Sequence, residues 1–231
     1  MSTLFSESFL GRQLRELSPG AVWVPDWLSV EEQRWIVDRF YEWGRGPVPP
    51  RAVAIGNGQM SVKTVCLGWH WRPYEYSRDA IDVNGNRVLD FPDWMVRLGR
   101  KAILEATGDT DLAEIYTPDT ALVNYYSADS KMGMHQDRDE RSRQPVVSIS
   151  IGDTAMFRFG NTDNRNKPYE DIALASGDLF VFGGPARLAY HAVTKIIPES
   201  APEHCGLAAG RINITMRVTG ISDEPTIYNR A

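Results

Sequence analysis

The chain has 231 residues, a length that all-β barrels and sandwiches reach as single domains. Hydrophobic residues make up 42% of the chain and charged residues 24%, which is typical of a globular protein and excludes a largely disordered one. The net charge of −5 excludes a uniformly basic nucleic-acid coat protein but leaves room for a local basic patch.

Two helices are predicted in the first half of the chain. Ser29 has the properties of a helix N-cap, and Glu32 three residues later completes a capping box. A second helix is predicted from about Pro92 to Thr107, because proline suits a first turn and Gly108 suits a C-terminal stop.

The segment between these helices, at about 51–91, is predicted to contain strands and loops. It includes Gln59–Lys63 and Gly68–Tyr76, in which aromatic residues are interspersed with arginine and lysine. This composition is unusual for a segment that only connects two helices.

Short β-like runs follow one another closely from residue 119 onward. They are Ala121–Tyr126, Val146–Ile151, Ala155–Phe159, Ile172–Ala175, Leu179–Phe182, Tyr190–Lys195 and Ile212–Thr219. Many short strands separated by Gly-rich turns predict a β-sandwich or jelly roll, with the two helices bracing one sheet. Because no linker separates the halves, we expect a single domain over 1–231, with its β core at about 119–219.

Two histidines and a carboxylate form a candidate metal site. His135 and Asp137 are two residues apart, so both side chains point to the same side of an extended segment. His191 begins a later predicted strand, which a jelly roll can return to the same opening. Such a triad leaves half of an octahedral ion open, which suits non-haem Fe(II) enzymes that activate O2. Taken alone, a His-x-Asp pair is more often a surface or capping feature.

A candidate anion site lies on the last predicted strand. Four polar residues share one face of that strand: Arg211, Asn213, Thr215 and Arg217. Two inward arginines are costly to bury unless they meet an anion, and a dicarboxylate satisfies both with paired hydrogen bonds. Asn124 and Tyr126 on an earlier strand could add donors. The alternative is an ordinary antiparallel sheet whose polar face is in water.

Seven motifs follow one another between about 119 and 219. They are Leu122–Tyr126, His135–Glu140, Pro145–Gly152, Phe157–Gly160, Gly177–Leu179, Gly183–His191 and Arg211–Arg217. Their order and spacing resemble the AlkB family of Fe(II)- and 2-oxoglutarate-dependent dioxygenases, and its bacterial nucleic-acid repair branch in particular. Met60–Val62 and Leu67–Trp69 resemble the nucleotide-recognition lid of that family. The resemblance implies a mainly β fold with flanking helices, in which a helical and lid extension precedes a double-stranded β-helix, a form of jelly roll.

By this resemblance, His135, Asp137 and His191 are expected to hold Fe(II). The dicarboxylate is expected to be 2-oxoglutarate, which binds the iron through its keto acid end. Its other carboxylate is expected to pair with Arg211, with help from Tyr126. The other residues implied for the cosubstrate pocket are Asn124, Asn213 and Arg217.

The substrate implied by the resemblance is a methylated base, flipped out of a nucleic acid and held between Trp69 and His135. Asp139, with Glu140 beside it, is expected to face the exocyclic edge of the base. The other residues implied for substrate contacts are Met60, Tyr74, Tyr76 and either Arg165 or Arg158.

Three positions depart from the family pattern. Phe182 stands where the family has tryptophan, and Trp71 and Pro73 stand where polar lid residues are more usual. These differences bear on base preference more than on the type of reaction.

The activity implied is oxidative removal of methyl groups from bases of the 1-methyladenine and 3-methylcytosine type, with O2 as oxidant and formaldehyde as product. The substrate is expected to be single-stranded or damaged duplex DNA, or RNA. Two cysteines cannot form a disulfide framework, and no basic leader or membrane-length apolar run is present. We therefore expect a cytoplasmic protein without membrane association, and a monomer as the simplest state.

Two other functions remain open from the sequence. The same chemistry could act on a small molecule or a protein side chain, although the aromatic and basic lid argues against this. A non-catalytic jelly roll could bind metal only, although such a protein has no need of two inward arginines.

Overall fold

The computed structural model describes residues 12–56 and 58–222. Its strands are β1 (Arg15–Ser18), β2 (Ala21–Val24), β3 (Arg51–Ile55), β4 (Gly58–Leu67), β5 (His70–Arg72), β6 (Glu75–Ser77), β7 (Thr120–Tyr126), β8 (Met132–His135), β9 (Val146–Gly152), β10 (Thr154–Gly160), β11 (Tyr169–Leu174), β12 (Leu179–Phe182), β13 (His191–Ile197) and β14 (Arg211–Arg217). Its helices are α1 (Val30–Gly44), α2 (Asp93–Thr107) and α3 (Thr110–Ile115). No helix within these ranges is long and apolar enough to cross a membrane.

Two antiparallel sheets form the body of the molecule. The larger sheet has the strand order β1-β2-β12-β9-β14-β7-β4-β3, and the smaller sheet has the order β11-β10-β13-β8. Strands β5 and β6 pair only with each other and form a separate hairpin within the predicted lid segment. The predicted jelly-roll class, mainly β with flanking helices, is confirmed.

The helices cover one face of the larger sheet. Helix α1 begins with the predicted capping box: the Glu32 amide donates to the Ser29 hydroxyl, and the Ser29 amide donates to the Glu32 carboxylate. Ile36 of α1 and Ile103 of α2 join one apolar cluster with residues of β7, β9, β12 and β14. Gly108 caps the C-terminus of α2, and its φ of 70° is a left-handed conformation that glycine adopts without strain. This cluster is the main core of the molecule.

Strand β14 lies between β7 and β9 in the larger sheet, and both of its faces are buried. Ile212, Ile214 and Met216 pack into the core beneath the helices. The alternate residues face the space between the two sheets and line a cavity there. The alternative of a water-exposed polar face is therefore excluded, because Arg211 is only 1% exposed.

Aromatic side chains fill the space between the sheets beside that cavity. Phe157 and Phe159 of β10 contact Phe180 of β12, with ring centroids 5.1 Å apart in each pair. Phe182 continues this packing to His191, at 5.2 Å between ring centroids. These rings exclude water from one side of the cavity and bury His191.

Candidate active site

A cavity of about 620 Å³ opens between the two sheets. Its lining comes from β4, β7, β9 and β14 of the larger sheet and from β8, β10 and β13 of the smaller sheet. The hairpin of β5 and β6 contributes Trp71, Pro73 and Tyr74. The volume lies within the usual range for small-molecule sites.

The cavity contains the predicted triad. His135 ends β8 and His191 begins β13, and the two residues are directly opposite each other in this antiparallel pair. Asp137 follows β8, and its carboxylate oxygens lie 3.7 Å from His135 Nε2 and 3.8 Å from His191 Nε2. One ligand atom from each residue lies within 4.8 Å of the others. The fold thus brings together three residues that could hold one metal ion.

Both imidazoles are oriented by backbone carbonyls. Nδ1 of His135 is 2.9 Å from the Gly133 carbonyl, and Nδ1 of His191 is 3.0 Å from the Ala189 carbonyl. Because a carbonyl can only accept, Nδ1 carries the proton in the neutral form of each ring, which leaves the lone pair on Nε2. Burial, together with the nearby His135, lowers the pKa of His191 to about 4. The His191 ring is therefore neutral at pH 7, the state in which imidazole binds metals.

Asp137 is ionised although it is buried. Burial by itself raises the pKa of a carboxyl group, but the charge of Arg217 and the two histidines hold the pKa of Asp137 at about 2. Arg217 Nη2 lies 2.8 Å from Asp137 Oδ1, whereas Oδ2 is buried without a hydrogen-bond partner. A buried carboxylate oxygen without a donor fits a cation held between it and the two Nε2 atoms.

Arg211 provides a second test of what the cavity can hold. Its Nη2 donates to the Ser150 hydroxyl at 2.9 Å, while Nε and Nη1 are buried without partners. Burial lowers the pKa of this guanidinium, which nevertheless stays charged at pH 7. The charge lies 5.3 Å from the centre of the Tyr126 ring. A buried cation with two free donors fits one end of an anionic ligand such as a dicarboxylate.

Amides and hydroxyls line the larger sheet between these two charged positions. Asn124 accepts a 2.7 Å hydrogen bond from Thr64, and Asn213 donates to Ser148 at 2.8 Å. The predicted polar residues of β7 and β14 therefore line one wall of the same cavity. Thr64, Ser148 and Ser150 were not predicted. Alternating polarity in Val146–Ser150 was an available signal for the two serines.

Four of the predicted substrate-contact residues line the cavity: Met60, Tyr74, Asp139 and Arg165. Tyr74 is 77% exposed and has a φ of 72°, an uncommon conformation for a residue other than glycine. Arg158, the alternative to Arg165, pairs instead with Asp171 on the neighbouring strand at 2.7 Å.

The expectation that Trp69 is exposed in the substrate site is wrong. Trp69 is 6% exposed, donates to Asp119 at 3.1 Å and packs beneath Arg78, so it does not line the cavity. Trp71 lines the cavity instead, and its Nε1 donates to Asp139 at 2.8 Å. Trp69 and Trp71 would share one face of an unbroken strand, but β5 begins only at His70, and Trp69 lies in the bend that follows Gly68, whose φ is 75°.

Tyr76 and Glu140, which were expected to contact substrate, do not line the cavity. The Tyr76 hydroxyl donates to Glu140 at 2.5 Å, and both side chains are buried. Glu140 also pairs with Arg187 and Arg217, at 2.8 and 3.0 Å. Burial opposes ionisation of Glu140, but Arg217 and the other donors outweigh it and lower its pKa. Arg187 was not predicted to take part in the site.

Residues 20–217 match the model of the 2OG-Fe(II) oxygenase superfamily. An alpha-ketoglutarate-dependent dioxygenase AlkB homolog from Caulobacter vibrioides is 52% identical over 202 residues, which cover 85% of this chain and 86% of the relative.

A DNA N(6)-methyladenine demethylase, ALKBH1D of Arabidopsis thaliana, is 33% identical over 87% of this chain. The match spans only half the length of that relative, 50%. A solved structure of OsALKBH1 superimposes with a TM-score of 0.77 at 31% identity and covers 88% of this chain and 100% of that chain.

Proposed function

The chain belongs to the 2OG-Fe(II) oxygenase superfamily and, within it, to the AlkB family, and we propose that it oxidatively demethylates N-alkylated bases in nucleic acid. One observation carries the proposal. A single cavity joins the His135, Asp137 and His191 triad to a buried arginine, Arg211, beneath an aromatic hairpin. This combination argues against a jelly roll that only binds metal, because Arg211 then has no partner for its charge.

In this proposal His135, Asp137 and His191 hold Fe(II). When bound, iron and 2-oxoglutarate supply, with O2, the oxidation of an N-methyl group to N-hydroxymethyl, which loses formaldehyde. The protein contributes a neutral imidazole at His191, an ionised carboxylate at Asp137 and carbonyls that fix the orientation of both histidine rings. Phe157 and Phe182 pack against His191 and would exclude water from that side of the site.

Arg211 is proposed to bind the distal carboxylate of 2-oxoglutarate through the two nitrogens that have no protein partner. Tyr126 lies beside that guanidinium, and Asn213 lines the wall. Arg217 contacts Asp137, Asn124 lines the same cavity, and both would orient the other end of the cosubstrate.

The substrate base is proposed to lie against Trp71, near Asp139. The Asp139 carboxylate accepts from the Trp71 indole, and a carboxylate at this position favours a cationic, ring-methylated base over a neutral one. Met60, Tyr74 and Arg165 line the same region and would contact the nucleotide. A small-molecule or protein substrate leaves this exposed aromatic and basic rim unused.

The preferred substrates are proposed to be 1-methyladenine and 3-methylcytosine in single-stranded or damaged duplex DNA, or in RNA. A base must leave the stack to reach the cavity, and this is least costly where pairing is already lost. The name of the Arabidopsis relative favours a second candidate base, N6-methyladenine in DNA.

We also propose that the jelly roll and the lid at 51–91 act as one domain, in a cytoplasmic monomer. Cys66 and Cys205 are buried free thiols, which suits a reducing compartment. The elution volume in size-exclusion chromatography at several protein concentrations tests the monomer.

The test of function uses single-stranded oligonucleotides that carry 1-methyladenine, 3-methylcytosine, N6-methyladenine or no modification. The protein is incubated with Fe(II), 2-oxoglutarate and ascorbate, and formaldehyde and succinate are measured. Formaldehyde with the first two substrates supports the proposal, and formaldehyde with N6-methyladenine alone supports the second candidate. Succinate without formaldehyde points to another substrate class. No succinate above the level of His135→Ala contradicts an oxygenase.

A further inference from the structure

Glu140 occupies the centre of a buried network between the β5–β6 hairpin and the triad. Its side chain is 0% exposed. Oε1 accepts from the Tyr76 hydroxyl at 2.5 Å and from Arg217 Nη1 at 3.0 Å, and Oε2 accepts from Arg187 Nη2 at 2.8 Å. Both oxygens are used within the protein, so the role of Glu140 is to hold other side chains.

Both arginines that bond to Glu140 also bond to Asp137. Arg217 Nη2 is 2.8 Å from the Asp137 carboxylate, and Arg187 Nη1 donates to the Asp137 backbone carbonyl at 2.5 Å. A guanidinium is planar and rigid, so a displacement at one nitrogen is transmitted to the other. Glu140 therefore determines how Asp137 is held at both its side chain and its backbone.

The other end of the network is the hairpin. Tyr76 on β6 is opposite Trp71 on β5, and these two aromatics bond to the adjacent acidic residues Glu140 and Asp139. A further bond, from Arg51 to the Trp71 carbonyl, also holds the hairpin. A two-stranded hairpin is only marginally stable by itself, so its position depends on such bonds.

The same hairpin lines the mouth of the cavity with Trp71 and Tyr74. A nucleic-acid strand that binds there would contact β5 and the turn that follows it. Tyr76 of β6 belongs to the hydrogen-bond network that reaches Asp137. A ligand that orders the hairpin therefore also restricts Glu140 and the two arginines. Restricting the residues that hold Asp137 favours metal binding, because the hydrogen-bond partners of a metal-binding side chain orient it.

We propose that Tyr76 and Glu140 are positioning residues that couple the β5–β6 hairpin to the metal ligand Asp137. The Tyr76 hydroxyl supports metal affinity, and a nucleic-acid strand on the hairpin raises that affinity. By linkage the metal raises the affinity for the strand by the same factor. The statement about the strand rests on the proposed function, whereas the statement about the hydroxyl does not.

The test measures Mn(II) binding, a readout that needs no turnover, by calorimetric titration in the presence of 2-oxoglutarate. Wild-type protein and Tyr76→Phe are compared with and without a single-stranded oligonucleotide carrying 1-methyladenine. Loss of an outer-shell partner should weaken Mn(II) binding by about tenfold in Tyr76→Phe. The oligonucleotide should tighten Mn(II) binding by about fivefold or more in the wild type and by much less in the variant.

Two further variants support this comparison. Tyr125→Phe removes a hydroxyl that bonds to the Ala209 carbonyl away from the network, so both Mn(II) affinities should stay at the wild-type values. Glu140→Gln keeps the side-chain shape but removes the charge that holds Arg187 and Arg217, and it should weaken Mn(II) binding at least as much as Tyr76→Phe. Glu140→Gln therefore tests the network even if Tyr76→Phe folds poorly, and thermal melting shows which variants fold.

The outcomes separate this inference from the proposed function. Wild-type Mn(II) affinity in the folded variants overturns the positioning role. An equal oligonucleotide effect in wild type and Tyr76→Phe, or no effect in a wild type that binds the oligonucleotide, overturns the coupling. Absence of oligonucleotide binding to the wild type, measured by fluorescence anisotropy, contradicts the coupling and the proposed nucleic-acid substrate, while the Mn(II) comparison alone still decides the positioning role.

Discussion

Burial of the charged Arg211 side chain is expected to destabilise the ligand-free protein. Within residues 12–56 and 58–222 no carboxylate pairs with it, and two of its nitrogens have no acceptor. Removing an uncompensated buried charge relieves a penalty of several kcal/mol, although some packing is lost with it. We therefore expect the Arg211 side chain to weaken the ligand-free fold and an anionic ligand to offset that loss.

Arg211→Met should raise the melting temperature of the ligand-free protein, or leave it unchanged, because methionine fills similar space without charge. The same variant should lose the stabilisation that 2-oxoglutarate gives to the wild type. Differential scanning fluorimetry with and without 2-oxoglutarate measures both effects. A lower melting temperature together with a retained 2-oxoglutarate shift would mean that Arg211 is a structural residue only.

Trp71 and Trp69 should respond differently to truncation. Trp71→Ala should weaken oligonucleotide binding by about 5–150-fold, since stacking contributes roughly 1–3 kcal/mol per base. Trp69→Ala should instead lower the free energy of unfolding by about 3–5 kcal/mol, as expected for a large buried aromatic. Anisotropy titrations and urea unfolding separate the two. Loss of oligonucleotide affinity in a stable Trp69→Ala protein would restore Trp69 to the substrate site.

Individual residues could be predicted where side chains alternate regularly between the two faces of a strand. Arg211, Asn213 and Arg217 all face the cavity, as an unbroken strand requires. This alternation is interrupted in the lid, where Gly68 turns the chain and Trp69 lies away from the cavity. Glu140 could not be assigned from sequence because its partners come from distant segments of the chain, including Arg187 and Tyr76.

At the scale of elements, the capping box of α1 makes a testable contribution. Ser29→Ala should lower the free energy of unfolding by about 1 kcal/mol, because the Glu32 amide loses its acceptor. Ser29→Asp keeps an acceptor at this position and should be nearly neutral. Urea unfolding measures both, and demethylation activity should be unchanged. Equal losses in the two variants would show that capping is not the cause.

The elements that sequence patterns missed are the short ones. Strand β8, at Met132–His135, contains a glycine and lacks an alternating apolar pattern, yet it carries His135. Its pairing with β13 places the two histidines opposite each other, and only this long-range contact defines it. Strands β1 and β2 similarly gain their structure by adding to β12 at the edge of the larger sheet. Helix α1, with its local capping box, needed no such partner to be predicted.

At the scale of the whole molecule, the residues proposed to bind the metal and the dicarboxylate come from both sheets. His135 and His191 belong to the smaller sheet, whereas Arg211 and Arg217 belong to the larger one. A metal held by the histidines and a dicarboxylate held by Arg211 would therefore join the sheets, in addition to the phenylalanine packing beside them. Binding of both ligands should then stabilise the fold more than the two separate effects combined.

Melting temperatures with Mn(II) alone, 2-oxoglutarate alone and both together measure this synergy. A ligand at about 100 times its dissociation constant stabilises the native state by about 2.7 kcal/mol, so either ligand alone should give a measurable shift. The joint shift should exceed the sum, and Arg211→Met should remove the excess while keeping the Mn(II) shift. Additive shifts in the wild type would mean that the metal and the dicarboxylate bind independently and do not couple the two sheets.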